Sequence, residues 1–162
     1  MKLYTTACLL FISMPFLSYK ATAQTDTLDH SNMTQEKLVR IVWEEANHPE
    51  GSGNAVQFVY EEIVMALFSD THYDRMRIIA PIIKKEDMTG NQMNAVLDAN
   101  FHTALDARYA TSDEVLYAVF IHPLSPLSRE QVVSALRQVA ALVQNFGDSY
   151  SSDEILYARP EN

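Results

Sequence analysis

The apolar residues of this chain change their spacing along its length, from helical to alternating and back, and that switching limits the fold more than any single motif. Leu38, Ile41, Val42 and Ala46 lie on one helical face, with Trp43 beside the stripe. Pro49 and Gly51-Ser52-Gly53 are expected to end this helix. Ala55–Val59 and Ile63–Phe68 are rich in β-branched and aromatic residues, with Tyr60-Glu61-Glu62 as the connection. After the turn-like cluster Asp70–Asp74, Met76, Ile78, Ala80 and Ile82 alternate with Arg75, Arg77, Ile79 and Pro81, the period of a strand. These segments predict three strands in a meander. Pro81 cannot donate a ladder hydrogen bond, so the third strand is expected at an edge of the sheet, or ending there.

Helical spacing then returns. Thr89-Gly90-Asn91-Gln92 matches a capping box, in which the Thr hydroxyl accepts from the backbone and the Gln reaches back. Met93, Val96, Leu97 and Phe101 are the expected apolar face of this second helix. Leu105, Ala107 and Tyr109 alternate with Asp106, Arg108 and Ala110 as a fourth strand, and Ala110–Asp113 forms a turn. Val115–Ile121 is apolar at both sets of alternate positions, which predicts a central strand covered on both faces. A second capping box, Ser128-Arg129-Glu130-Gln131, opens a helix carried by Val132, Leu136, Val139, Val143 and Phe146 and closed by Gly147. The order α-β-β-β-α-β-β-α predicts an α+β fold of two layers, an antiparallel sheet with helices. SDEVLYA at 112–118 is echoed by SDEILYA at 152–158, a match too short to indicate a repeat protein.

The first 23 residues read as a signal peptide. Lys2 supplies a positive start, Ala7–Leu17 an apolar run, and Ala21-Thr22-Ala23 a small-x-small cleavage site. The run has 11 residues, short of the ~20 that cross a bilayer. Residues 24–32 are a polar, flexible lead-in, residues 33–150 one domain, and residues 151–162 a C-terminal tail with the makings of a short strand. The expected location is exported, either periplasmic or secreted. Cys8, the only cysteine, falls in the leader, so the mature chain would have no disulfide and no thiolate nucleophile. Loss of the leader removes Lys2 and Lys20 and no acid, leaving 10 Lys+Arg against 21 Asp+Glu, net −11. Such a charge repels phosphate backbones and argues against nucleic-acid binding.

Few residues suggest chemistry. None of the five histidines forms an H-x-H or H-E-x-x-H pair. His102, His122 and Asp106 are the one set that could meet in a metal-binding or hydrolytic site, against plainer readings as a helix end and a strand end. Glu61-Glu62 fits a solvated turn better than acid–base catalysis. Asp106 and Arg108 share a face if they lie on one strand, and fit a structural ion pair. No phosphate loop, nucleophile elbow or zinc motif is present, and no cofactor is expected.

DRMRIIAPI (74–82), ANFHTALDARYA (99–110), YAVFIHPLSPLS (117–128) and FGDSYSS (146–152) resemble the YbjN-type family, which is related in fold to the class I type III secretion chaperones represented by the Tir chaperone. The resemblance covers roughly residues 34–152, with Asn100, Asp106, Arg108, Tyr109, His122 and Pro123 as the matched positions. It implies the element order read above and a role in binding a protein or peptide, rather than catalysis. In the chaperone relatives a sheet face and its helices bind an extended effector segment, and many pair into homodimers. The leader departs from those cytoplasmic chaperones. Candidate surface residues for such binding are Arg75, Arg77, Ile79 and Phe120. A structural component of the envelope is the remaining alternative. N-terminal sequencing of the exported protein should begin at Gln24, within a residue or two; a membrane-bound chain still starting at Met1 would refute the leader.

Overall fold

The structure is a computed structural model in which residues 32–152 are described. The expected signal peptide, the lead-in up to residue 31 and the tail beyond Ser152, with most of SDEILYA, lie outside the described residues. The chain runs α1 (Gln35–Glu45), β1 (Asn47–Ser52), β2 (Ala55–Tyr60), β3 (Ile63–Asp70), β4 (Arg75–Lys84), a short 3-10 turn (Lys85–Asp87), α2 (Gly90–His102), β5 (Arg108–Ser112), β6 (Val115–Pro123) and α3 (Arg129–Gln144). The strands make one antiparallel sheet in the order β1-β2-β3-β4-β6-β5. The fold is α+β, as expected, with one strand more than the sequence suggested.

That extra strand is β1. Pro49 and Gly51 stop helix α1 and then take part in a strand at the sheet edge. A shift of register between Asn47 and Glu50 accommodates Pro49, whose missing N–H costs no ladder bond at an edge. Gly51 has φ +100, and a Cβ there would stand 2.5 Å from the Ala55 carbonyl oxygen, so the hairpin requires glycine. Two tighter hairpins turn without glycine. Glu61-Glu62 (φ 47 and 66) and Asp113-Glu114 (φ 47 and 61) are two-residue loops between paired strand ends, with both residues left-handed as such hairpins demand.

Both capping boxes form: the Thr89 and Ser128 hydroxyls accept from the backbones of Gln92 and Gln131, whose side chains accept in return. Thr34 caps α1 in the same manner through Lys37 N–H. Val132, Leu136 and Val139 of α3 are fully buried, and α3 lies across β4 and β6. Leu38, Ile41 and Val42 turn α1 into the same core. Arg129, at the start of α3, bonds Glu44 and Glu45 at the end of α1. Each of these charges sits at the helix end its dipole disfavours, and the fork offsets both mismatches.

Other expectations change. Helix α2 buries Val96, as expected, together with Ala99, whereas Leu97 and Phe101 of the expected face are exposed, Phe101 at 85%. The helix stands beside β5 and covers only a narrow strip. Strand β4 is not an edge: it pairs with β3 and with β6. Pro81 is tolerated because β3 pairing ends at Ile79 and the register with β6 shifts between Pro81 and Ile83. The fourth strand begins at Arg108, so Leu105, Asp106 and Ala107 belong to the preceding loop. Strand β6 is central in pairing but covered on one face only: Leu116, Ala118 and Phe120 are buried, whereas Ile121 is exposed.

Asp74 ties the start of β4 to the loop before α3. Its carboxylate accepts from Ser125 N–H at 2.7 Å and from the Ser125 hydroxyl at 2.8 Å, while its carbonyl accepts from Leu124 N–H. The Ser125 backbone bond, then the hydroxyl bond, hold its pKa below the usual Asp value of 3.8. A pKa lowered by folding adds stability above the unfolded value, lost as pH falls through the folded one. Asp74→Asn, which keeps a residue tolerant of φ 51, should therefore lower the urea midpoint at pH 7. The gap to the native chain should close below about pH 4; a gap independent of pH would contradict this account.

Candidate functional site

The motif-like residues around α2 and β5 form a polar tether. The Asn100 side chain meets the outward edge of β5: its Oδ1 accepts from Tyr109 N–H at 2.8 Å and its Nδ2 donates to the Tyr109 carbonyl at 2.9 Å. A side-chain amide thus supplies the donor and acceptor a further strand would supply. The Tyr109 ring is buried, and its hydroxyl donates to the Leu142 carbonyl at 2.8 Å, one of the carbonyls left open at the end of α3. Burial, then nearby Tyr150, raises the Tyr109 pKa well above its ordinary value, so the hydroxyl stays protonated as this bond requires. Buried Gln138 accepts from Asp106 N–H and Ala107 N–H through Oε1, and donates to Ser134. Ser152 closes the group, its hydroxyl accepting from Leu105 N–H at 2.7 Å.

His122 stands at the end of β6, as its plainer reading had it, whereas the ion pair expected of Asp106 and Arg108 does not form among the described residues. Arg108 donates to its neighbour's carbonyl, that of Ala107. His122 donates from Nδ1 to the Pro123 carbonyl at 2.8 Å and stacks on Phe120, while the His102 ring meets Phe101. Among the described residues no group of three or more His, Cys, Asp or Glu side chains could hold a metal ion, so His102, Asp106 and His122 do not assemble into one. No helix among them is long and apolar enough to cross a membrane.

A different surface stands out. The helices cover one face of the sheet, and the other is open. Strand pairing sets the open face in rows, Phe68–Arg77–Ile121 in one and Gln57–Ala66–Ile79–Val119–Arg108 in the next. Its large apolar side chains remain partly in water: Val64 is 48% exposed, Phe68 43% and Ile121 56%. A depression of about 530 Å³ at one end is lined by Phe68, Asp70, Arg75, Arg77 and Ile121, among others. Arg75, Arg77 and Ile79 lie on this face. Phe120 does not: it points to the helices and is 4% exposed. Sequence reasoning missed Val64, Phe68 and Ile121, because alternation shows that a strand has two faces without showing which one the helices take.

No family model matches the chain, and no curated protein matches it. Among solved structures, a chain of the HopA1–SchA chaperone–effector complex is similar, with a TM-score of 0.53 and 10% identity, over 67% of this chain and 88% of that one. At that identity the likeness is one of fold alone.

Replacing Asn100 by Ala leaves a backbone donor and acceptor of Tyr109 without partners at a partly covered edge. The cost should be about 1–3 kcal/mol, read from urea unfolding, with faster amide exchange at Tyr109. Unchanged exchange there would show that the side chain does not close the edge.

Proposed function

We propose that this protein is an exported, non-enzymatic binding domain of the YbjN and secretion-chaperone type, which holds an extended segment of another protein on the open face of its sheet. The observation that carries the reading is the apolar content of that face. Half-exposed Val64, Phe68 and Ile121 sit among Ala66, Ile79 and Val119 on neighbouring strands. Apolar surface gathered in this way marks interaction sites on folded domains. Covering the remaining half of each large side chain contributes about 1 kcal/mol apiece. The likeness in fold to a chain of a chaperone–effector complex supports the same class of role.

Strand addition at an edge fits less well. Asn100 occupies the β5 edge at Tyr109, and the β1 edge is bent at Pro49. Recognition is therefore assigned to side chains on the face. A photo-crosslinking amino acid at Ile121 or Val64 should give discrete adducts with a partner in envelope extract, and the same group at Asp98, on α2, should not. Absence of adducts from both sheet positions, or the same adducts from Asp98, would refute the reading.

A further inference from the structure

The charge of the open face runs against that of the chain. The whole sequence carries 12 Lys+Arg and 21 Asp+Glu, net −9. Strand positions facing the open side hold Arg75, Arg77, Arg108 and Lys84, the last paired with Glu86 at 3.4 Å, against Glu50 and Asp70. Asp70 lies opposite Arg75; its Oδ1 accepts from His72 N–H at 2.9 Å and Tyr73 N–H at 3.0 Å within its own turn, and it makes no ion pair with Arg75 among the described residues. Glu50 is on the edge strand, three strands from Arg77, on the order of 14 Å away at ordinary strand spacing. That exceeds the screening length of about 8 Å at physiological salt.

Arg77 is the centre of this feature. It sits directly between Phe68 and Ile121 on the neighbouring strands, and its guanidinium has no hydrogen bond or ion pair among the described residues. Arg75, on the same strand and two residues away, donates to the backbone carbonyl of Asp74 and to no carboxylate. Arg75 stands opposite Asp70 on β3, whereas Arg77 has only apolar side chains, Phe68 and Ile121, opposite it on the neighbouring strands, at the rim of the depression.

We propose that the open face takes an acidic segment of the partner protein, its carboxylates meeting Arg75 and Arg77 and its apolar side chains lying on Phe68 and Ile121. The inference rests on the binding role assigned above and names the chemistry of what binds. An Arg fork matches a carboxylate in geometry as well as charge. A second copy of this chain is a poorer occupant, because a two-fold contact through this face sets the same arginines against one another.

The test uses the purified chain and three labelled peptides in which Phe and Val alternate with Asp, with Asn or with Lys. Fluorescence anisotropy at low salt should show the Asp peptide binding about three- to tenfold more tightly than the Asn peptide. Arg77→Gln should remove that margin and leave the Asn peptide unchanged. Phe68→Ser should weaken both. Arg77 is exposed and without partners among the described residues, so the unfolding midpoint of Arg77→Gln should match the native chain and exclude a folding defect. Equal binding of the Asp and Asn peptides, or tightest binding of the Lys peptide, overturns the acidic preference and leaves the face as a binding surface. No binding by any of the three overturns both. A concentration-dependent dimer dissociated by Ile121→Asp gives the face to a second copy and also overturns the proposal.

Discussion

The antiparallel pairing of β4 with β6 joins segments that lie far apart in the chain, from Arg75 opposite Pro123 to Lys84 opposite Val115. It fixes the positions of the other elements. The β1–β3 meander is carried on one side of β4, and β5 is carried on the far side of β6. On the inner face, Met76, Ile78, Ala80, Leu116, Ala118 and Phe120 form the bed on which α3 lies. A slip of one residue between these two strands would turn the inner set of one of them outward and bring Arg77 or Ile121 beneath the helix. The bond from Ser125 to Asp74 holds the open end of the pair against such a slip.

The polar residues then divide the remaining work. Gln138, Tyr109, Asn100 and Ser152 satisfy backbone groups where α2, β5, α3 and the chain after α3 come together. None of these bonds needs an external ligand, and no buried side-chain polar atom is without a partner among the described residues. This region is complete in itself. The open face of the sheet is not, since apolar side chains there, and Arg77 without a partner among the described residues, still face water.

Much of the fold could be read from residues with local consequences. Thr89 with Gln92 and Ser128 with Gln131 announce their helices, because a capping box is a contact within four residues. Strand β1 could not be read, because Pro49 and Gly51 carry the local signature of a break and become strand only through β2. The face of α2 was read only in part for a related reason: Met93 and Val96 pack inward as expected, but Leu97 and Phe101, the larger side chains, stay exposed where the strip beside β5 admits Ala99. Phe120 and Ile121 show the limit most clearly. Both belong to an unbroken apolar run, and which of them is buried depends on pairing with β4, a partner some forty positions away by chain order. The roles of Asn100 and Tyr109 were hidden likewise, since a bond to the backbone of a strand edge leaves no spacing rule in the sequence.

The closed edge at Tyr109 also bears on how quickly anything held by this domain could leave. A segment annexed to a sheet edge is fastened by successive backbone hydrogen bonds and has to unzip along them. One lying across the strands touches only side chains, whose rotamers exchange on the picosecond-to-nanosecond scale at exposed positions. On the role proposed above, Asn100's hold on the edge at Tyr109 would make discrimination among occupants a matter of their side chains rather than of backbone that all proteins share.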